Sequence, residues 1–199
     1  HLWPGVDVAL TEFPDREAQR LAIECALGLN ARFYSITLSP LGELVVKVET
    51  SAGPHQPSGA APNRRLWLEV IAYDRAGAVL FESGTIEDGE IEDKPLGEPG
   101  YDPQLALFRD WIYDDQGKPA HMFWEAAPSA EYPEGFASLT LPGALMLNSA
   151  HTLDARYRLV DAARVDRIHL RLRMRAVGVD VLRDAIARVE DRAAALAAA

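Results

Sequence analysis

The side chains able to do chemistry in this chain are dispersed and do not form a recognised catalytic motif. No two histidines have the spacing of a metal-ligand pair such as HExxH. The sequence also lacks a GxSxG nucleophile elbow, a Walker loop and a GxGxxG segment. We therefore predict that the chain is not an enzyme, and a hydrolase built from scattered residues is the catalytic alternative. The histidines are His1, His55, His121, His151 and His169.

The segment RIHLRLRMR at residues 167–175 has the cleanest alternation of apolar and basic residues in the chain. Such alternation predicts a strand with one core face and one basic face. The basic face is either solvated and paired with acidic neighbours, or a docking face for carboxylates, because guanidinium groups bind carboxylates bidentately. The residues of this predicted face are Arg167, His169, Arg171, Arg173 and Arg175.

The segment at residues 86–103 is rich in carboxylates and contains a single lysine, Lys94. Oxygen-rich loops with glycine coordinate Ca²⁺, although the spacing here does not match the helix-loop-helix calcium motif. A solvated acidic loop is the alternative interpretation. The calcium candidates are Asp88, Glu90, Glu92 and Asp93.

The chain has one cysteine, Cys25. A single cysteine excludes an internal disulfide, a Cys-based zinc site and a CxxCH haem-attachment motif within this chain. Cys25 lies on the apolar stripe of a predicted helix, so we interpret it as a small buried hydrophobic residue and not as a reactive thiol.

The composition predicts a folded, acidic protein. The 199 residues are 48% hydrophobic, enough for one good core, and the net charge is −10. That charge argues against nucleic acid or an anionic membrane as the main partner. No apolar run approaches the length of about 18 residues that spans a bilayer, so we predict no membrane insertion. Because the chain opens with His1, we expect it to be a processed product or a piece of a longer protein.

Alternating apolar runs separated by turn residues predict an all-β fold. Residues 32–38 and 43–50 read as two strands, and residues 151–159 as another. Two similar hairpins are predicted, one from 66 to 82 around a turn at 74–77, and one from 108 to 124 around a turn at 114–117. Helical spacing predicts helices at 15–29, with its apolar stripe facing inward, and at 179–199.

We therefore predict an immunoglobulin-like antiparallel β-sandwich with an N-terminal and a C-terminal helix. The predicted division is a leader and helix at 1–31, the sandwich domain at 32–177 and the C-terminal helix at 178–199. Between the strands at 43–50 and 66–73, the loop at 51–63 is rich in Pro and Gly and is a candidate contact surface.

Several segments resemble the C-terminal region of multihaem c-type cytochromes. The segment SAGPHQPSG followed by RRLWLEV is similar to that family's GHxLPTG and RRxWLxV motifs, and the resemblance covers about 44–182. Pro54 stands where the family has histidine, and His55 follows one position later. The residues that carry the resemblance are 51–59, 64–70, 81–84, 171–175 and 178–182, together with Asp74 and Gly77.

The resemblance implies a β-sandwich-like region that follows haem-bearing segments of a bacterial electron-transfer protein, in the periplasm or outside the cell. It implies that His55 is a distal haem ligand, that haem c belongs to the parent protein or a partner, and that the basic face approaches haem propionates. The predicted function is a non-catalytic module that supports or docks haem domains. The alternative is a Ca²⁺-assisted, glycan-binding or protein-binding sandwich.

Overall fold

The computed structural model describes residues 15–50, 55–56, 63–87, 90–91, 101–131, 133–139, 141–142 and 152–197. Its helices are α1 (Arg16–Asn30) and α2 (Val179–Ala197), with 3-10 turns at Phe123–Glu125 and Ala162–Arg164. Its strands are β1 (Ala31–Leu38), β2 (Glu43–Thr50), β3 (His55–Gln56), β4 (Arg65–Tyr73), β5 (Val79–Ser83), β6 (Ile86–Glu87), β7 (Glu90–Ile91), β8 (Leu107–Tyr113), β9 (Pro119–Ala120), β10 (Phe136–Leu139), β11 (Leu141–Pro142), β12 (Thr152–Arg158) and β13 (Arg167–Arg175).

Two antiparallel sheets form a sandwich. One has three strands in the order β1-β2-β12, and the other has six, with β10-β8-β4-β13 in a row, β5 paired to β4 and β9 paired to β8. The two-stranded pairs β11-β3 and β6-β7 stand apart from these sheets. Strand β4 is central because it pairs with β13 along its whole length and with β5 and β8 on its other side.

The core lies between the facing sides of the two sheets. Alternate residues of β2, including Leu44, Val46 and Val48, are fully buried against alternate residues of β4, including Leu68 and Val70. Burying apolar side chains of this size stabilises the fold by about 1.5–3 kcal/mol each. This period of two is the pattern that the sequence shows in both segments.

The second face of β4 is buried as well, although it carries charge. Arg65, Trp67 and Glu69 alternate with the core residues and are 1%, 2% and 4% exposed, respectively. Arg109 of the neighbouring strand β8 is 2% exposed. Because burial of an unpaired charge is costly, these charged groups need partners, and their partners define the candidate site below.

The two predicted hairpin turns are confirmed and share one construction. The Asp74 carboxylate accepts hydrogen bonds from the backbone N–H groups of Ala76 and Ala78, both at 2.9 Å. At the second turn the Asp114 carboxylate does the same for residues 116 and 118. A glycine with positive φ completes each turn, at 88° for Gly77 and 76° for Gly117.

The returning strand of the second hairpin is shorter than predicted. Only Pro119–Ala120 pairs with β8, and the chain then enters the 3-10 turn at Phe123–Glu125. The Glu125 carboxylate accepts hydrogen bonds from the backbone N–H groups of His121 and Met122, at 3.4 and 3.2 Å. These hydrogen bonds turn the backbone away from β8 after Ala120. Alternation of apolar residues alone therefore predicted too late an end for the returning strand.

Helix α1 forms where predicted, but the predicted inward apolar stripe is wrong. Leu21 and Leu29 are 53% and 75% exposed, and Cys25 is also exposed, so its interpretation as a buried residue is corrected. Among the described elements, the helix contacts mainly the adjacent strand β1. The buried residue of this helix, among its described side chains, is Ile23, at 8% exposed, which does not belong to the predicted stripe, so helical spacing alone did not identify the packed side.

The antiparallel β-sandwich with two flanking helices is confirmed, and the immunoglobulin-like assignment and the exact domain boundaries stay predictions. Neither described helix combines the length and apolar content needed to cross a membrane. The C-terminal helix begins at Val179, as the sequence predicts.

Candidate functional site: the arginine ladder and the Arg65 cluster

Strand β13 presents its basic residues on the face of the six-stranded sheet that points away from the sandwich core. Its apolar residues, such as Leu170 and Leu172, pack against the core. We call the basic set the arginine ladder: Arg167, His169, Arg171, Arg173 and Arg175. The register places it opposite Tyr73, Ile71, Glu69, Trp67 and Arg65 of β4, in that order.

A single buried carboxylate supports the middle of the arginine ladder. The Glu69 side chain is 5% exposed, and its Oε2 lies 2.7 Å from Arg173 Nε while its Oε1 lies 3.3 Å from Arg171 Nη1. The Arg171 side chain remains 50% exposed. One carboxylate thus orients two guanidinium groups, and the exposed part of Arg171 can contact a further anion.

At the opposite end of the arginine ladder, Arg167 and Arg171 contact aromatic side chains. The Arg167 guanidinium lies 4.6 Å from the centre of the Tyr73 ring, within the range of a cation–π contact. Arg171 Nε donates a hydrogen bond to His169 Nε2 at 3.1 Å.

At the Arg175 end, the arginine ladder meets a second group of charges, which we call the Arg65 cluster: Arg65, Arg109, His121 and Asp180. Arg65 Nη2 donates to both Asp180 carboxylate oxygens, at 2.8 and 2.6 Å. Arg109 Nη1 lies 3.8 Å from Asp180 Oδ2, and its guanidinium lies 3.9 Å from the Trp111 ring centre. His121 Nε2 lies 3.2 Å from Asp180 Oδ2.

Asp180 is the shared anion of the Arg65 cluster. Burial alone would raise the pKa of the Asp180 carboxyl. The neighbouring charges of Arg65, Arg109 and His121 outweigh burial and hold that pKa below its ordinary value. Asp180 also lies in the first turn of α2, where the helix dipole favours a negative charge.

Gly178 allows this contact to form. A Cβ at residue 178 would lie 2.8 Å from Arg65 Cζ, closer than real Cβ atoms approach other atoms. The Gly178 N–H donates to the Asn63 carbonyl oxygen at 2.8 Å, which ties the start of α2 to the chain just before β4. Arg65, Gly178 and Asp180 therefore fasten α2 to the outer face of the six-stranded sheet.

A second layer of charges joins α2 to the 3-10 turn. His121 Nδ1 lies 3.5 Å from Asp184 Oδ2, and Arg188 Nε lies 3.0 Å from the same carboxylate. Arg188 also contacts Glu125. A cleft of about 310 Å³ opens here, lined by Asp114, Pro119, Ala120, His121, Glu125, Asp184 and Arg188. Its acidic and basic groups pair with one another, so its arrangement indicates a structural role.

The Arg65 cluster is absent from the predictions made from sequence. Arg65 and Asp180 enter those predictions only within segments that resemble the cytochrome family, and His121 only as one of the dispersed histidines. A signal was present, because Arg65, Glu69 and Arg109 interrupt strongly apolar strands, and charges in such positions are normally paired.

In the structure, residues of the segments that resemble the cytochrome family make contacts that hold the fold together. The Trp67 indole N–H donates to the Gly84 carbonyl oxygen at 3.0 Å. Asp102 accepts hydrogen bonds from the Ser83 hydroxyl at 2.7 Å and from the Gly84 N–H at 2.9 Å. Together with the Arg65–Asp180 pair, these contacts show that the described part of the resemblance holds strands and helix together.

The remaining predicted site residues are placed only in part. The backbone of His55 pairs with Pro142 in the two-stranded pair of β3 and β11, and its role as a haem ligand stays a prediction. Glu90 pairs with Glu87 in the β6-β7 hairpin, whereas Asp88, Glu92 and Asp93 lie outside the described residues. Within the described ranges, no group of three or more His, Cys, Asp or Glu side chains is arranged to hold a metal ion.

No family model matches the chain, and no curated protein matches it. Among solved structures, the penta-heme cytochrome c552 from Thermochromatium tepidum is similar, with a TM-score of 0.55 and 22% identity. The match covers 81% of this chain and 36% of that chain. The chain thus shares a fold with a region of a multihaem cytochrome and spans about a third of the cytochrome's length.

Proposed function

We propose that this chain is a non-catalytic β-sandwich module that supports or docks the haem-bearing segments of a multihaem c-type cytochrome and so serves electron transfer. The fold similarity to a penta-heme cytochrome, which extends over 81% of this chain, carries the proposal. The resemblance of residues 44–182 to the C-terminal region of such cytochromes supports it independently. A periplasmic or extracellular location goes with this proposal.

Haem c in this proposal belongs to another segment of the parent protein or to a partner. The chain has one cysteine, whereas covalent haem attachment through CxxCH requires two. The module therefore contributes surface and support, and the haem-bearing segment contributes the redox chemistry.

The arginine ladder is the proposed docking face. Haem propionates and acidic side chains are carboxylates, and the exposed guanidinium groups of Arg167 and Arg171 suit them. The ion pair with Glu69 already orients the Arg171 side chain. Arg171 therefore loses less conformational entropy when a partner binds. The chain as a whole is acidic, with a net charge of −10. An acidic partner would therefore be attracted to this basic face and repelled by the acidic remainder of the surface.

The proposal is tested by titrating the isotope-labelled chain with a haem-bearing fragment from the same gene or its neighbour. We expect NMR shifts and line broadening to concentrate on β13, and the affinity to fall as salt concentration rises. The double variant Arg167→Gln, Arg171→Gln should weaken binding by about tenfold or more.

The matched control is Arg20→Gln, which removes an exposed arginine from α1 that pairs with Glu17. Equal weakening by the control and the double variant would remove the arginine ladder from the proposal. A haem-bearing fragment that causes no shifts anywhere, together with a parent gene without CxxCH motifs, would refute the proposed function as a whole. Perturbation of the His55 signals in the same titration would test the predicted haem-ligand role.

A further inference from the structure

Another cleft lies at the end of β12, between the turn that joins β1 to β2 and the segment that precedes β8. Its volume is about 330 Å³, near the lower end of the range for small-molecule sites. Its lining shares no residue with the arginine ladder or the Arg65 cluster, so this cleft is separate from both. The lining residues are Leu41, Glu43, Gln104, Arg156, Tyr157 and Arg158.

The charges around this cleft do not balance. Arg156 and Arg158 share one face of β12 because they are two residues apart. Glu43 lies opposite Arg158 in the register, yet its Oε1 pairs with Arg156 Nη1 at 2.9 Å. Among the described residues, the exposed guanidinium group of Arg158 forms no ion pair and no hydrogen bond. Two arginines and one glutamate thus leave the lining with a net positive charge, although the whole chain is acidic.

Both walls of the cleft are held by hydrogen bonds to backbone groups. On one side, the Leu159 N–H donates to the Gly42 carbonyl oxygen at 2.8 Å, which fixes the turn that carries Leu41. On the other side, the Arg158 N–H donates to Gln104 Oε1 at 2.5 Å. Because this bond uses the carbonyl oxygen of the Gln104 side chain, its amide N–H groups remain as donors for a ligand. A ligand would therefore enter a cleft whose walls are already ordered.

The lining favours a carboxylate over a phosphate. A guanidinium group binds a planar carboxylate through charge-assisted hydrogen bonds, and Arg158 has no competing partner in the described structure. A phosphate group carries about 1.5–2 negative charges at neutral pH, so the Glu43 carboxylate repels it more strongly than it repels a single charge. Leu41 is 92% exposed and gives the lining an apolar surface that a hydrocarbon group would cover.

We propose that this cleft binds a small organic monocarboxylate. Its carboxylate pairs with Arg158 and accepts a hydrogen bond from the Gln104 amide, and its apolar part lies against Leu41. The site goes beyond the proposed function, because it takes a free small molecule and lies at β12 of the three-stranded sheet, whereas the docking face lies on β13 of the six-stranded sheet.

The test is an NMR titration of the isotope-labelled chain with benzoate at constant ionic strength. We expect saturable shifts confined to residues 41–43, 104 and 156–158, with an affinity in the millimolar range. Arg158→Gln should weaken binding by about tenfold or more. The matched control Arg188→Gln removes a guanidinium group that is already paired with Asp184 and should leave benzoate binding unchanged.

Three further measurements test the assigned contacts. Benzamide has nearly the same shape as benzoate but no charge, and should bind about tenfold or more weakly. Leu41→Ser should weaken the binding of benzoate but not that of acetate, which lacks the ring. Glu43→Gln should tighten benzoate binding, because it removes the negative charge in the lining and releases Arg156 from its partner. Circular dichroism checks that each variant folds.

Absence of saturable shifts at the cleft would overturn the proposal, as would equal affinities for benzoate and benzamide. Tighter binding of inorganic phosphate than of benzoate would overturn the choice of a carboxylate. An unchanged affinity in Arg158→Gln, or a lower one in Glu43→Gln, would show that the anion does not bind as described. None of these titrations contains a haem-bearing fragment, so failure here is distinguishable from failure of the proposed function.

Discussion

Replacing Asp180 with alanine tests whether the Arg65 cluster fastens α2 to the sandwich. The substitution leaves the guanidinium group of Arg65 without its bidentate partner, at a position where Arg65 is 1% exposed. It also removes a carboxylate that lies close to Arg109 and His121. A buried cation without a carboxylate is costly, so we expect the folded state to lose stability.

The expected loss in the free energy of unfolding depends on how exposed Arg65 and Asp180 are. Removing one member of a fully buried ion pair costs about 3–5 kcal/mol. The Asp180 side chain is 43% exposed, so solvent screens part of this interaction, and we expect about 2–3 kcal/mol. For a chain of 199 residues this corresponds to a fall in melting temperature of about 4–12 °C.

Urea and thermal unfolding followed by circular dichroism measure the effect. The matched control is Glu17→Ala, because Glu17 pairs with Arg20 on exposed α1 with a side chain 70% exposed, and it should cost less than about 1 kcal/mol. The double variant Arg65→Met, Asp180→Ala should recover part of the loss, since it removes the buried Arg65 charge as well. Equal losses for Asp180→Ala and the control would refute the structural role of the Arg65 cluster.

The same pair predicts a pH dependence. The pKa of Asp180 is lowered in the folded state from an ordinary value of 3.8, so its contribution to stability is complete above that pH. The contribution is lost as the pH falls through the lowered pKa. The stability difference between wild type and Asp180→Asn should therefore be large at neutral pH and shrink below about pH 3.8. A difference that stays constant into acid would contradict this account.

Three other substitutions have defined outcomes. Tyr157→Phe should be neutral or stabilising by up to about 1 kcal/mol, because the buried Tyr157 hydroxyl has no hydrogen-bond partner within the described structure. Burial raises the pKa of Tyr157, so wild type should lose stability relative to this variant as the pH rises above about 10, and parallel pH curves would refute the assignment. Gly84→Ala should cost about 1–3 kcal/mol more than Gly77→Ala in urea unfolding, since both glycines have positive φ but only a Cβ at Gly84 would strike a backbone carbonyl of β4. Glu69→Gln should cost about 1–2 kcal/mol in the same assay, because it removes the charge between Arg171 and Arg173, and an unchanged midpoint would show that this buried carboxylate is dispensable.

The strands of the sandwich were predictable because burial on one face leaves a period of two in the sequence. The alternation in residues 167–175 is reproduced by β13 from Arg167 to Arg175, and the turns at Asp74 and Asp114 follow from the chemistry of Asp and Gly. The fold match to a multihaem cytochrome region agrees with the family that the sequence resembles.

Three features of the structure could not be predicted from local sequence patterns. The exposure of Cys25 depends on what packs against α1, which is a property of the whole fold. The 3-10 turn after β9 depends on the reach of the Glu125 side chain back to the backbone. The pairing of Arg65 with Asp180 joins residues far apart in the chain, and a single sequence does not encode such a distance in any local signal.

The contact between Arg65 and Asp180 also bears on how relatives of this chain can be recognised. Both residues lie in segments that resemble the cytochrome family, yet they form an ion pair with each other. The nearby Trp67 indole N–H donates a hydrogen bond to the Gly84 carbonyl oxygen. A search built on these segments would therefore retrieve proteins that fasten a helix to a sheet in the same way, whatever cofactors they carry. Under the proposed function, relatives that dock haem-bearing segments would have to be recognised from other positions, above all from the exposed guanidinium groups of Arg167 and Arg171 on β13.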